Sequence, residues 1–129
     1  ARLRGLGLKV IYPGLPDHPQ YELLKSLANP GYGFGGILGL DLCTKQKANK
    51  LIHYLQNNVQ FGFIAVSLGY YETLMSCPGS STSSEMNEEE QDKSGISSGL
   101  IRMSIGYSGT LEQRWNQLLD ALITLKLVH

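Results

Sequence analysis

Gly99-Leu-Ile-Arg-Met-Ser-Ile-Gly106 places one arginine inside an otherwise apolar stretch, and its alternation decides how the rest of the chain is read. As a strand it sends Ile101, Met103 and Ile105 to one face and Leu100, Arg102 and Ser104 to the other. A packed core takes the first face. On the second, a guanidinium next to a hydroxyl suits a planar anion such as a carboxylate, which arginine can grip with two parallel hydrogen bonds. Alternation by itself favours a plainer role for Arg102, a half-exposed charge paired with a local acid at the open face of a sheet.

Outward from that strand, the segments alternate between strand and helix patterns. Leu8 to Tyr12 reads as a short strand closed by Pro13-Gly14. Asp17-His18-Pro19-Gln20 predicts a helix start with Asp17 as N-cap, followed by a stripe of Tyr21, Leu24, Leu27 and Ala28 that Asn29-Pro30-Gly31 ends. Residues 31–36 match G-x-G-x-x-G formally, but they follow a helix and open a strand, the reverse of the dinucleotide-binding arrangement. Gly36 to Leu42 predicts the second strand. Thr44 caps a helix with a stripe of Ala48, Leu51, Ile52 and Leu55 that Asn57-Asn58 ends. His53 flanks that stripe with no histidine or acid at partner spacing. Phe61 to Ser67 is almost wholly apolar and predicts a third strand buried on both faces. Ser67, at its end and near Gly69, suits either a ligand-contacting hydroxyl or turn chemistry. Thr110-Leu-Glu-Gln113 has the form of a capping box before a long amphipathic helix carrying Leu111, Trp115, Leu118, Leu122 and Leu125, with Trp115 in the core.

Composition narrows the function classes. The 129 residues are enough for one domain with a real core, and the 42% hydrophobic and 17% charged shares are ordinary for a globular protein. No run of apolar residues reaches membrane-spanning length. Net charge is zero, yet five of the eleven acids fall within residues 85–92. The remainder is mildly basic, compatible with small anionic ligands and too dispersed for nucleic acid. The Ser- and Glu-rich stretch 76–98 predicts a flexible surface loop, its glutamates a solvated cluster rather than a metal site. Cys43 and Cys77 lack metal-ligand spacing, so reduced thiols in a cytoplasmic protein are expected. The chain opens Ala-Arg-Leu-Arg, and an excised piece of something longer is expected. The expected fold is α/β (α+β), a small sheet covered on one face by helices. This much also allows a stand-alone small-molecule-binding module.

Four stretches in order carry a more specific signal: Tyr12-Pro-Gly-Leu15 with His18-Pro19, Gly33-Phe-Gly-Gly36, Val66-Ser-Leu-Gly69 followed by Glu72-Thr-Leu74, and Gly99 to Gly106. Together they resemble the C-terminal domain of the Cys/Met-metabolism family of pyridoxal-phosphate enzymes (fold type I). The resemblance implies a mostly antiparallel sheet and a single substrate-binding domain over residues 1–129. It also implies a full-length homotetramer that acts on a sulfur amino acid. It makes Arg102 the residue that binds the substrate α-carboxylate and Ser67 its neighbour at the strand end. Val66 stands where cystathionine-processing members usually carry Glu, which implies the branch that cleaves methionine to methanethiol, 2-oxobutanoate and ammonia. Cystathionine gamma-synthases or lyases and O-acylhomoserine sulfhydrylases remain the alternatives. Ser108 departs from the family's usual acid at that position. None of the seven lysines stands in the family's Ser-x-Thr-Lys context. The cofactor pyridoxal 5'-phosphate and its lysine are therefore expected in an upstream domain, no catalytic, cofactor-binding or metal residue is expected here, and the fragment alone is expected to be inactive.

Overall fold

The computed structural model describes residues 1–78, 93, 95 and 97–128. In chain order these form α1 (Arg2–Gly5), β1 (Lys9–Ile11), α2 (Tyr21–Leu27), β2 (Ile37–Asp41), α3 (Lys45–Asn57), β3 (Gly62–Ile64), β4 (Thr73–Ser76), β5 (Leu100–Ser104) and α4 (Leu111–Thr124). The strands make one sheet in the order β1-β2-β5-β4-β3. Every neighbouring pair is antiparallel except β3 with β4. The fold is thus a mixed α/β one with a mostly antiparallel sheet, as expected.

Register assigns the faces. Leu38↔Met103 and Leu40↔Ile101 align across β2 and β5, and Met75↔Met103 across β4 and β5. Leu40, Met75, Ile101 and Met103 are fully buried with Ala48, Leu51 and Leu55 of α3 and Ala121 and Leu122 of α4. Burying these side chains against one another is what holds the two long helices on that single face. Their starts follow the sequence. Thr44 Oγ1 accepts from the Lys47 amide at 3.3 Å, and Thr110 Oγ1 accepts from the Gln113 amide at 3.2 Å. The glycines that bracket β5 are positions of close approach: a Cβ on Gly99 would strike the backbone at Cys43 and Thr44, and one on Gly106 the backbone at Tyr71 and Glu72.

Several expectations are corrected. Asp17 does not cap α2: the helix starts at Tyr21 with Gln20 as N-cap and no side-chain cap bond, while Asp17 Oδ1 accepts from Arg4 Nη1 at 2.6 Å. The α2 stripe is not core either, because no α2 residue is buried and Leu27 is 74% exposed. Phe61 to Ser67 is not a doubly buried strand. Only Gly62–Ile64 is extended in the sheet, at its edge, and Phe63 is half exposed. The strand whose every residue is buried is β4. Its Thr-Leu-Met-Ser is only four residues long and half hydroxylic, so apolar-run reading passes over it. α1 was likewise not expected. Ser76 and Cys77 are buried in the sheet and its core rather than in a loop. At the other end of that stretch Ser97 Oγ donates to Asp41 Oδ1 at 2.7 Å. The glutamate cluster expected as a flexible surface lies outside the described residues. Trp115 is only partly buried, its ring under the Arg2 guanidinium at 5.4 Å.

Candidate functional site

On the sheet face away from α3 and α4, Gly39, Arg102 and Ser76 lie side by side in register. Arg102 is half-buried. Its side chain crosses toward the chain that leaves β3. Nη1 donates to the Val66 carbonyl at 2.9 Å, and Nη2 donates to the carbonyls of Ala65 at 3.0 Å and Ser67 at 2.6 Å. Among the described residues Arg102 Nε is buried without a partner, as is Ser104 Oγ two residues along. No carboxylate among the described residues forms an ion pair with Arg102, so the local acid that alternation favoured is not there.

The three residues singled out in the sequence therefore come together. Ser67 reaches Arg102 through its main-chain carbonyl rather than its hydroxyl, and Val66 does likewise while its own side chain is 61% exposed. Beside them lies an open cavity of about 360 Å³ lined by Phe63, Ala65, Ser67, Gly69, Tyr70 and Leu74. A larger one of about 650 Å³ lies at Arg4, Lys9, Asp17 and His18. There Arg4 and Asp17 neutralise each other and Lys9 is bonded to Asp41, so it offers little free charge to a ligand.

A network that the sequence did not reveal holds the loop beyond Ser67. Arg114 Nη2 donates to Glu72 Oε2 at 2.8 Å and to Ser108 Oγ at 2.6 Å, and Ser108 Oγ donates to the same Glu72 oxygen at 2.5 Å. Arg114 also donates from Nε to the Ser108 carbonyl at 3.0 Å. Ser108, which departs from the family's usual acid, is thus an element of this triad, and Thr110 caps the last helix. Glu72 and Arg114 stand 42 residues apart, and no local pattern pairs residues at such a distance.

A second part-buried acid sits at the opposite side of the sheet. Burial pushes the Asp41 carboxyl up, but bonds from Lys9 Nζ, Ser97 Oγ and the Cys43 amide outweigh it and leave the group below the usual carboxylate value. It is structural: it ties β1, β2 and the entry to β5. Among the described residues, no cluster of histidine, cysteine and acids could hold a metal, and no helix is long and apolar enough to cross a membrane.

A single guanidinium at Arg102 suits a small planar anion better than pyridoxal phosphate itself. The guanidinium is held by three main-chain carbonyls beside the exposed Val66, and none of these bonds brings it a lysine amine to carry the cofactor.

Comparison with known proteins identifies the family. Residues 8–113 match the model of the Cys/Met metabolism PLP-dependent enzyme family. The chain is 60% identical over 124 residues to the methionine gamma-lyase of Arabidopsis thaliana, covering 96% of this chain and 28% of that protein. It is 38% identical over 116 residues to the cystathionine beta-lyase MetC of Bacillus subtilis (strain 168), covering 88% and 28%. A crystal structure of cystathionine gamma-lyase from Lactobacillus plantarum complexed with L-serine shares the fold, with a TM-score of 0.77 at 24% identity over 97% of this chain and 32% of that one. The chain thus spans about a third or less of the length of these relatives. With a family model matched across most of its length, this chain belongs to the Cys/Met-metabolism family of pyridoxal-phosphate-dependent enzymes.

Proposed function

We propose that these residues form the C-terminal, substrate-binding domain of a carbon–sulfur lyase that cleaves methionine to methanethiol, 2-oxobutanoate and ammonia. The observation that carries this is the Arg102 guanidinium, half-buried, held among the described residues by neutral carbonyls alone and left with a buried Nε that none of them satisfies. Such a positive charge attracts an anion, and the planar fork selects a carboxylate. Held there, the amino acid has its α-carbon fixed relative to the rest of the enzyme, which lowers the barrier by orientation. Pyridoxal phosphate, when bound, supplies the electron sink for breaking bonds around that carbon. The lysine that carries it is assigned to the part of the enzyme outside these residues, and residues 1–129 alone are expected to be inactive.

Methionine is favoured over cystathionine by Val66. Its exposed apolar side chain suits an uncharged thioether and offers nothing to the second amino group of cystathionine. The 60% identity to a methionine gamma-lyase supports the same choice. The whole enzyme is read as cytoplasmic and as a homotetramer, and light scattering of the purified protein checks the tetramer.

The decisive assay gives the full-length enzyme L-methionine, L-cystathionine and O-acetylhomoserine with sulfide in parallel. Thiol, 2-oxobutanoate and ammonia from methionine at the highest kcat/KM are expected. Preferred turnover of either other substrate would replace this reading with a cystathionine-processing enzyme or a sulfhydrylase.

A further inference from the structure

Arg102 Nε and Ser104 Oγ are buried and unpartnered on one strand, two residues apart, and so on one face of the sheet. Ser104 is only 6% exposed. Buried polar groups are nearly always satisfied, and an orphan calls for an explanation. Among the described residues Arg102 has no ion pair, and Ser104 lies on the sheet face away from the two long helices. The ligand chemistry that satisfies both is a carboxylate oxygen, whose lone pairs accept from a guanidinium N–H and a hydroxyl together.

We propose that Ser104 is a second donor of the carboxylate site. With an amino acid bound, one carboxylate oxygen accepts from Ser104 Oγ and Arg102 Nε, and the carbonyls of residues 65–67 yield part of the guanidinium to the ligand. This rests on Arg102 being the carboxylate anchor. The exchange runs in the ligand's favour because an ionised acceptor bonds a guanidinium more strongly than a neutral carbonyl does. The Ala65 amide still donates to the Met75 carbonyl at 2.9 Å, whereas Val66 and Ser67, just beyond it, are exposed.

The test uses the full-length holoenzyme and two one-ended probes, 4-(methylthio)butanoate, which is methionine without the amine, and 3-(methylthio)propylamine, which is methionine without the carboxylate. Calorimetric titration of Ser104→Ala is expected to weaken the acid about tenfold and leave the amine within about twofold, the loss of one hydrogen bond to a charged group. Ser104→Thr, which keeps the hydroxyl, restores most of the acid's affinity. The melting midpoint of Ser104→Ala is not lowered, since alanine removes a buried orphan. Unchanged affinity for the acid in a folded Ser104→Ala overturns the proposal, and so does a parallel loss for acid and amine with a lowered midpoint. Arg102→Gln separates the layers: acid binding lost there but intact in Ser104→Ala discards the role of Ser104 alone, while acid binding intact in both discards the carboxylate site.

Discussion

Two arginines reach across this small domain to the ends of its edge strand, and they are finished differently. Arg114 is about 19% exposed and meets a carboxylate, Glu72, with Ser108 closing the triangle. Arg102 meets three main-chain carbonyls and has no acid among the described residues. A neutralised guanidinium fastens loops; one held only by dipoles keeps its charge available. The difference teaches that burial and hydrogen-bond number do not separate the two arginines. What does is the counter-charge, which Arg114 has and Arg102 lacks among the described residues.

The comparison breaks most visibly in activity. Arg102→Ala in the full-length enzyme should lower kcat/KM for methionine by about 100-fold or more, the loss of charge-assisted bonds to the carboxylate at about 1.5–3 kcal/mol each, with the far-ultraviolet circular dichroism unchanged. Steady-state kinetics check this. Arg114→Ala should do the reverse, costing about 2 kcal/mol in urea unfolding because Glu72 is left part-buried and unpaired, while the folded enzyme keeps kcat/KM nearer to wild type than Arg102→Ala does.

Asp41 sharpens the contrast through pH. Its carboxyl lies below the usual value in the folded chain, so its contribution is present above the unfolded pKa of about 3.9 and lost as pH falls through the lower folded one. Asp41→Asn should cost about 2 kcal/mol at neutral pH. The gap to wild type should then close below about pH 4, which urea titrations across that range would show. Thr110→Ala should be the smallest effect, about 1 kcal/mol from the lost cap of α4, with no change in substrate affinity.

The sequence carried the architecture unevenly. Periodicity located α3 and α4 because their stripes are long and their caps are adjacent in sequence. The same reasoning failed on α2, whose leucines follow the helical period yet stay exposed; periodicity shows that a helix has an apolar face, not what covers it. It failed again on the pair β3 and β4. Phe61-Gly-Phe-Ile-Ala-Val looks like a central strand and lies at the edge, while Thr73-Leu-Met-Ser76 looks unremarkable and is central. Strand order depends on long-range pairing, which a local window does not contain. Arg102, Ser67 and Val66 were legible as a set only through motif order. That order did not reveal how they meet, by carbonyls rather than by the Ser67 hydroxyl, since main-chain acceptors leave no trace in residue types. Glu72 with Arg114 left none either.

Binding of 4-(methylthio)butanoate to the full-length holoenzyme, compared between Arg102→Gln and Arg114→Gln, tests the central claim most directly. The account predicts that calorimetry finds the dissociation constant raised about 100-fold in Arg102→Gln and within about twofold of wild type in Arg114→Gln. Equal dissociation constants in the two variants would contradict it.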